Sequence, residues 1–429
     1  MNHRVTVAAD PRFSHRHTRA TVTVTDGAGL PLPGQEVRVE QTGHAFLFGN
    51  IGFDFVGLAD DLGATEPSSP FGGAPIESAR ALAPLWLDLF NQVTLPFYWR
   101  GFEPVRGEPD TERLRRTAAW FAERGVAVKG HPLLWHTMAP TWLLGLSDDE
   151  VEQEIRLRIT REISTLGDVV PTWDAINEVV IMPVFDREDN AVTRLAQRLG
   201  RTGMVGLAVD TAREAAQDAG RPVSLLLNDF NLSPDYERLV EEVLDAGIRI
   251  DALGLQSHMH QGYRGEEYFA DVLDRFSRFG LPLHLTENTL LSGDLMPAEI
   301  TDLNDYVVDH WPSTPEGEAR QAEEIVRHYT QLVAHPAVQA VNYWGITDEG
   351  AWLGAPCGLV RADRTPKPAY EALKGLIKGE WWLPPTTART DENGRLEIEA
   401  FAGDFRLDAA GGTADLTLPA GDQERSIAL

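Results

Sequence analysis

The chain has 429 residues, of which 43% are hydrophobic, and 65 acidic side chains against 38 basic ones give it a formal net charge of −27 at pH 7. This composition is typical of a globular protein, and the length fits two or three domains or one (β/α)8 barrel with a smaller companion. The charge excludes nucleic acid and anionic membranes as partners, because both surfaces are negative and would repel the chain.

The amino-terminal residues show no targeting signal and predict β-structure. Met1–Asp10 mixes polar and charged side chains, and no apolar run follows that could serve as a signal peptide or span a bilayer. If Met1 is the native start, a cytoplasmic protein is expected. Residues 20–41 alternate apolar and polar side chains around a Gly/Pro turn, which predicts a hairpin of two strands.

Apolar runs bounded by turn residues recur from about residue 46 onward and predict eight strands. These are Phe46–Gly49, Gln92–Leu95, Val126–Lys129, Thr172–Asn177, Val223–Asn228, Ala252–Gln256, Leu283–Thr286 and Ala340–Trp344. Because each is followed by enough chain for a helix, the pattern predicts an α/β fold, a (β/α)8 TIM barrel with its site on the loops after the strands. A doubly wound open sheet is the alternative, but no Gly-rich phosphate loop follows the first strand.

Helical periodicity separates these predicted strands. One helix carries an apolar stripe of residues three or four apart, namely Val151, Ile155, Ile159, Ile163 and Leu166. A second helix is delimited at both ends, with Ser233 as the N-cap, Pro234 at the first helical position and Gly247 past the last turn.

The carboxyl-terminal residues 388–429 again predict short alternating strands after a turn at 390–394. Neither end of the chain alone can bury both faces of a sheet, because a lone hairpin is marginal in water. We therefore expect one discontinuous β-sandwich built from residues 1–44 and 381–429, with the barrel over 45–380 inserted between its halves. Two independent decorations of the barrel surface are the alternative.

Two glutamates follow predicted strands and are candidates for acid–base chemistry. Glu178 follows the fourth strand and Glu287 the seventh, and the carboxyl ends of barrel strands meet at one mouth. Paired carboxyls are what glycosidic cleavage requires, because one donates a proton to the leaving oxygen and the other attacks the anomeric carbon or activates water. A single glutamate at a strand end is more often a cap or half of an ion pair. Asn177, directly before Glu178, can bond a sugar hydroxyl near the reacting carbon.

Six further stretches at the predicted strand ends carry a recognisable pattern. They are Gly130–His136, Trp173–Glu178, Leu227–Asn231, Leu255–His258, His284–Glu287, and Tyr343–Asp348 followed by Trp352. In this order they resemble glycoside hydrolase family 10, over roughly residues 46–376. The resemblance implies a (β/α)8 barrel that cleaves β-1,4-linked xylan with retention of anomeric configuration.

The resemblance also implies roles for individual residues. Glu178 matches the acid/base and Glu287 the nucleophile, while Asn177 matches an asparagine on the 2-hydroxyl of the reacting sugar. Gln256 and His258 match the pair that positions the two carboxyls, and a hydrogen bond from His258 would favour the charged form of Glu287. A retaining enzyme has its two carboxyl groups about 5 to 5.5 Å apart, against about 6.5 to 9.5 Å for an inverting one.

The remaining motif residues are expected to bind or support the sugar. They are His131, Trp135, His136, Asn228, Trp344 and Trp352. His131 matches a histidine that contacts sugar hydroxyls. Trp344 and Trp352 match indoles that pack against the pyranose ring, whose C–H faces suit aromatic surfaces. For Trp135, filling the core is an equal alternative to sugar contact.

The chain departs from this family where distal sugars are bound. After the second strand, xylanases of the family carry a Glu-Asn pair and then a Lys, whereas here the stretch Val93–Arg100 has none of them. Tyr98 and Arg100 are candidates to replace them. The Leu-Asp that usually follows the nucleophile is Asn288-Thr289 here. We therefore predict a retaining glycosidase acting on an oligosaccharide or glycoside, with xylan itself, other sugars, and endo or exo action left open.

Two other classes of function remain as alternatives. His258 and His260 form a His-x-His, which with other histidines near strand ends (His131, His136 and His284) could hold zinc in a metal-dependent barrel hydrolase. In metal-dependent amidohydrolases, however, such a pair follows the first strand, and here it follows the sixth. A non-catalytic sugar-binding protein is disfavoured because both carboxyls are present. We expect no cofactor and no metal, because the chemistry needs only two carboxyls and water.

Overall fold

The computed structural model describes residues 3–8, 10–59 and 74–429. The chain divides into two compact units. One, the terminal unit, comprises Met1–Leu47, Ile325–Pro336 and Ala369–Leu429, and the other, the barrel unit, comprises Phe48–Glu324 and Ala337–Pro368. None of the helices described is long and apolar enough to cross a bilayer.

Strands and helices are numbered in chain order. The strands are β1 (Arg4–Thr6), β2 (His17–Thr25), β3 (Glu36–His44), β4 (Leu47–Ile51), β5 (Gln92–Pro96), β6 (Ala127–His131), β7 (Thr172–Asn177), β8 (Ser224–Asp229), β9 (Ala252–Met259), β10 (Leu283–Leu290), β11 (Val338–Tyr343), β12 (Thr386–Arg389), β13 (Arg395–Phe401), β14 (Gly403–Ala409), β15 (Gly412–Leu418) and β16 (Gly421–Ala428). The α-helices are α1 (Val56–Ala59), α2 (Ile76–Leu89), α3 (Trp99–Phe102), α4 (Thr111–Ala122), α5 (Asp148–Leu166), α6 (Ala191–Asp218), α7 (Pro234–Asp245), α8 (Glu266–Ser277), α9 (Pro315–Ala334) and α10 (Pro368–Gly375). Single turns of 3-10 helix include Phe53–Phe55 and Trp352–Gly354.

Strands β4 to β11 close into one barrel in which neighbours follow chain order. The described pairings between them are parallel, and helices connect successive strands. The predicted (β/α)8 barrel is therefore confirmed, and each of the eight predicted strands overlaps a strand of the barrel. Both faces of a parallel sheet are covered, which is why these strands read as apolar runs.

The helices follow the local signals in the sequence. The apolar stripe predicted for α5 is buried, and its N-terminus carries a capping box in which Ser147 and Glu150 bond reciprocally. Helix α7 begins with Pro234 after the N-cap Ser233, whose side chain accepts the backbone N–H of Asp235. Gly247 follows with a φ of +74°, the left-handed conformation that favours glycine after a helix.

Strand β10 is longer than predicted and irregular. It continues to Leu290, and its register shifts against β9 between Leu285 and Glu287. The side chain of Asn288 stabilises this irregularity, because its Nδ2 donates to the carbonyl oxygens of Leu285 at 2.9 Å and of Asn342 at 2.8 Å. Glu287 thus lies within the strand, and not beyond its end as expected.

The terminal unit contains two four-stranded sheets, ordered β1-β13-β2-β16 and β12-β3-β14-β15. Each combines strands from both ends of the chain, which confirms a β-sandwich formed from the two termini. Its core lies between the sheets and includes Val22 and Ile398 from one, and Val39 and Leu407 from the other. The predicted hairpin over residues 20–41 is wrong, because β2 pairs with β13 and β16 while β3 pairs with β12 and β14.

The buried guanidinium of Arg158, on α5, holds the loops that follow β5 and β6. Its Nε donates to the carbonyl of Leu133 at 2.9 Å, and Nη2 donates to the carbonyls of Pro132 at 3.3 Å and of Phe97. The cation also lies 5.0 Å from the centroid of the Trp99 ring. Arg158 is 1% exposed, so these loops depend on bonds that water cannot replace.

We expect Arg158→Met to lower the free energy of unfolding by about 3 kcal/mol or more, because the carbonyls that it satisfies would stay buried without donors. The matched control is Arg156→Met on the same helix. Its side chain is 48% exposed and paired with Glu152, so its loss is expected to cost less than about 1 kcal/mol. Urea unfolding followed by tryptophan fluorescence measures both. Equal losses in the two variants would contradict the anchoring role of Arg158.

Candidate active site

The two glutamates singled out by the sequence lie on the fourth and seventh barrel strands, Glu178 just past the end of β7 and Glu287 within β10. Glu178 directly follows β7 with a φ of +56°, and its N–H donates to the carbonyl of Asn228 at 2.8 Å. A non-glycine residue in this left-handed region costs of order 1 kcal/mol, and such strain concentrates at functional sites. Glu178 is half-buried, whereas Glu287 is 5% exposed.

A continuous chain of hydrogen bonds connects the two carboxyls. Asn228 Nδ2 donates to Glu287 Oε1 at 3.0 Å and to Asn177 Oδ1 at 2.8 Å. Gln256 Nε2 donates to the same Asn177 Oδ1 at 3.1 Å and to Glu178 Oε1 at 3.3 Å. Both carboxyls therefore share one polar network at one mouth of the barrel.

The register of the strands sets this network. Asn177 on β7 lies opposite Asn228 on β8, and Gln256 on β9 lies opposite Glu287 on β10. Thr286 orients the amide of Asn228, because its hydroxyl donates to Asn228 Oδ1 at 2.6 Å. The amide nitrogen Nδ2 therefore points toward the carboxylate of Glu287.

Glu287 is surrounded by groups that favour its charged form. His258 Nε2 lies 3.1 Å from Glu287 Oε2, and His131 Nε2 lies 3.9 Å from Glu287 Oε1. Burial by itself would raise the pKa of Glu287. The charge of His131 and the hydrogen bond and charge of His258 outweigh it and lower the pKa below its ordinary value. Glu287 is thus ionised at neutral pH.

Glu178 has the opposite electrostatic character. Burial, the charge of Glu287 and the charge of Asp229 raise the pKa of Glu178 to about 8. Hydrogen bonds from Trp135 Nε1, at 2.8 Å, and from Gln256 oppose this rise without cancelling it. At neutral pH the site therefore presents one carboxylic acid and one carboxylate, which is the division of roles that acid-assisted nucleophilic displacement needs.

Aromatic side chains pack against the two histidines that lie beside Glu287. Trp344 is 7% exposed and Trp352 is 37% exposed, and the latter packs its indole 4.9 Å from the ring centroid of His258. Tyr98 packs against His131 at 5.5 Å. These rings offer apolar faces beside the polar network, a combination typical of carbohydrate sites.

His136 and Arg100 are predicted site residues whose contacts lie elsewhere. His136 is buried with its ring 4.4 Å from Phe185, and neither of its ring nitrogens has a hydrogen-bond partner among the described residues. Burial lowers the pKa of His136 to about 3, so it is neutral. Arg100 pairs with Glu188 at 2.7 Å and donates to the carbonyl of Ala139 at 3.0 Å. It therefore braces its own loop.

Comparison with known proteins gives one family. The model of "Glycosyl hydrolase family 10" matches residues 77–376. The chain belongs to this family. The chain is also similar to "Endo-1,4-beta-xylanase B" of Thermotoga neapolitana, with 27% identity over 65% of this chain and 78% of that protein. It is 28% identical to "Endo-1,4-beta-xylanase A" of Xylanibacter ruminicola, over 62% of this chain and 76% of that protein. This family 10 chain is accordingly a glycoside hydrolase.

Solved structures share the fold of this family 10 enzyme. The family 10 protein of Paenibacillus barcinonensis superposes with a TM-score of 0.62 at 22% identity, covering 77% of this chain and 94% of that one. Xylanase 10B of Thermotoga petrophila, solved in complex with xylobiose, superposes with a TM-score of 0.61 at 21% identity. The match covers 78% of this chain and 94% of that one.

Several residues of this family 10 site were missed at the sequence level. Asp174 Oδ2 lies 2.7 Å from Lys129 Nζ and 2.7 Å from His131 Nδ1, and all three are buried. Asp174, held in place by Lys129, binds Nδ1 of His131 and so orients the ring with Nε2 toward Glu287. Asp174 lies three positions before Asn177, and the register of β7 against β8 shifts between Asp174 and Ile176, so strict alternation could not have indicated its role.

A glycine of the family 10 barrel is also required by the network. A Cβ at Gly254 would lie 2.3 Å from Asn228 Oδ1, so only glycine leaves room for that side chain.

The family departures Asn288 and Thr289 are structural. Asn288 stabilises the irregular β10, as described above, and Thr289 Oγ1 accepts the N–H of Met259 at 3.0 Å.

The histidines that suggested zinc do not form a metal site in the part of the chain that the structure describes. Within residues 3–8, 10–59 and 74–429, no group of three His, Cys, Asp or Glu side chains has the arrangement of a metal site. His258 faces Glu287, while His260 is buried 3.4 Å from Thr289 Oγ1. Burial lowers the pKa of His284 to about 4.

Proposed function

We propose that this family 10 enzyme is a retaining β-glycosidase that works by double displacement with Glu287 as nucleophile and Glu178 as acid/base. The observation that carries the proposal is the opposite shift of two carboxyl pKa values within one hydrogen-bonded cleft. Glu287 is ionised and can attack, and Glu178 is protonated and can release the leaving group.

The two steps balance as follows. A Glu287 oxygen attacks the anomeric carbon and forms the glycosyl ester, while the bond to the leaving oxygen breaks and that oxygen takes the proton of Glu178. Glu178, now a carboxylate, removes a proton from water. The water oxygen then attacks the same carbon, and Glu287 leaves as a carboxylate. Two inversions give net retention.

The contacts around the carboxyls support the other roles. Asn177 Oδ1 already accepts two hydrogen bonds, so its Nδ2 remains to donate to a hydroxyl of the reacting sugar. Asn228 and Gln256 position one carboxyl each. The apolar faces of Trp344 and Trp352 suit a pyranose ring.

For the substrate class and the domains we propose the following. Because the relatives are named endo-1,4-β-xylanases and one solved neighbour holds xylobiose, the substrate is a β-linked oligosaccharide or glycoside. We assign catalysis to residues 45–380 and an accessory role to the sandwich of residues 1–44 and 381–429, whose core joins strands from both ends of the chain.

Stereochemistry tests this proposal directly. Proton NMR of the first product from an aryl β-glycoside should show the β-anomer before mutarotation. A 2-deoxy-2-fluoro glycoside with a good leaving group should trap an ester on the peptide that contains Glu287, detected by mass spectrometry. An α-anomer as first product, with no trapped ester, would mean that the enzyme inverts.

The pH dependence of kcat/KM should follow the two carboxyls. Activity requires protonated Glu178 and is lost as the pH rises through about 8. It also requires ionised Glu287 and is lost as the pH falls through a value below 4.5. Trp135→Phe removes a hydrogen bond that stabilises charged Glu178, so the alkaline limb should move upward. An alkaline limb that is unmoved in Trp135→Phe, and still present in Glu178→Ala, would assign that limb to another group.

A further inference from the structure

The mouth of the barrel unit has two unlike halves. The side chains that bond to the two glutamates come from the loops and strands β6 to β10. The strands β4, β5 and β11 are followed by aromatic residues instead, namely Phe53, Tyr98 and Trp344. With Ile51 these three form one hydrophobic cluster.

Four rings form a closed set of edge-to-face contacts, which we call the aromatic wall. Phe53 contacts Tyr98 at a centroid distance of 5.8 Å and Trp344 at 5.7 Å. His131 contacts Tyr98 at 5.5 Å and Trp344 at 5.4 Å. Rings at these separations are in van der Waals contact, so no sugar ring fits between them. Each member is 9% exposed or less.

The aromatic wall stands directly beside the nucleophile. His131, one of its members, has Nε2 3.9 Å from Glu287 Oε1. The charges of Glu287 and Glu178, together with a larger effect of burial, raise the pKa of Tyr98, in keeping with a phenol next to both carboxyls. The wall therefore lies next to the carboxylate that we propose as the nucleophile.

The wall has little to offer a second sugar. Sugar hydroxyls that leave water need polar partners, and the stretch Val93–Arg100 supplies no carboxylate, amide or lysine. Its one cation, Arg100, is already paired with Glu188. Among the residues that the structure describes on this side, an additional sugar would lose hydration against apolar rings and find few hydrogen-bond partners to replace it.

We propose that the aromatic wall limits the glycone side of the cleft to one sugar, so that the enzyme removes single sugars from the non-reducing end of short β-glycosides. This specificity rests on the proposed retaining function and adds a substrate class to it. The specificity-determining residues are Phe53 and Tyr98.

The test compares substrates that differ by one glycone sugar. We expect kcat/KM for 4-nitrophenyl β-xylobioside to exceed that for 4-nitrophenyl β-xyloside by less than about tenfold, roughly the value of one hydrogen bond. The same limit is expected when 4-nitrophenyl β-cellobioside is compared with 4-nitrophenyl β-glucoside. A tenfold or larger gain in kcat/KM, in whichever pair the enzyme turns over, would overturn the inference about the wall but leave the proposed retaining function standing. Absence of turnover on all four, with no trapped Glu287 ester, would instead overturn the proposed function.

Variants of the wall give an independent readout. Phe53→Ala and Tyr98→Ala should raise the ratio of disaccharide to monosaccharide kcat/KM, by roughly tenfold if one sugar-binding contact opens. Tyr98→Phe keeps the ring and should leave the ratio unchanged. General damage lowers both rates together and leaves the ratio as it was, which would count against the wall. If an alanine variant does not fold, the wild-type ratio still decides.

Discussion

Glu287→Gln is expected to abolish turnover of every β-glycoside, with kcat/KM falling by about 10⁵-fold or more. The amide keeps the hydrogen bond from Asn228 and the shape of the site, but it cannot form the glycosyl ester. The variant should still bind substrate. Steady-state kinetics on an activated aryl glycoside measure the loss, and calorimetric titration with an oligosaccharide measures binding.

The control for this variant is another buried glutamate of the barrel unit. Glu162, on α5, is 0% exposed and paired with Arg161, away from the two-carboxyl network. Glu162→Gln should keep kcat at 25 °C even where it lowers stability. In Glu287→Gly, added azide should restore turnover and yield the α-glycosyl azide, because the anion then attacks from the vacated side. Residual activity above about 1% in Glu287→Gln would show that another group attacks.

Glu178→Ala is expected to separate substrates by leaving group. A dinitrophenolate leaves without a proton, so formation of the glycosyl ester should slow by less than about tenfold. A sugar or alkyl alkoxide can leave only with the proton of Glu178. For such substrates kcat/KM of the variant should fall by about 10³- to 10⁴-fold. The measurement is a plot of log kcat/KM against the pKa of the leaving group, and its slope should be much steeper for the variant than for the wild type.

Deglycosylation gives a second readout of Glu178→Ala. Without the general base, water attacks slowly and the ester accumulates, so azide should accelerate turnover and give the β-glycosyl azide. The opposite anomers from the Glu178 and Glu287 variants distinguish the two roles. Equal losses for all leaving groups, with no effect of azide, would mean that Glu178 is not the acid.

Local sequence patterns predicted most of the barrel. The stripe on α5, the cap at Ser233 and the apolar runs of the eight strands depend on residues close in the chain, so periodicity and capping chemistry reveal them. The glutamates could be paired across a large separation because barrel topology brings strand ends together. The register that places Asn177 opposite Asn228 could not be predicted, because it depends on how two distant strands pair.

Choices between distant partners were not predictable. Alternation identified β2 and β3 as strands, but each pairs with strands from the other end of the chain, because a hairpin turn signal does not exclude a better long-range partner. The shift in β10 likewise depends on bonds from Asn288 to backbone that is remote in sequence.

The sequence by itself determined the fold class, the strand order and the two carboxyls, because these follow from periodicity and from residue chemistry at strand ends. Only the tertiary structure supplied the physical reason why one carboxyl is protonated and the other is ionised. Burial and neighbouring charges raise the pKa of Glu178 and lower that of Glu287, and those neighbours come from five different strands. It also decided that Phe53, Tyr98 and Trp344 pack into one cluster, since ring contacts between separate loops leave no local pattern in the chain.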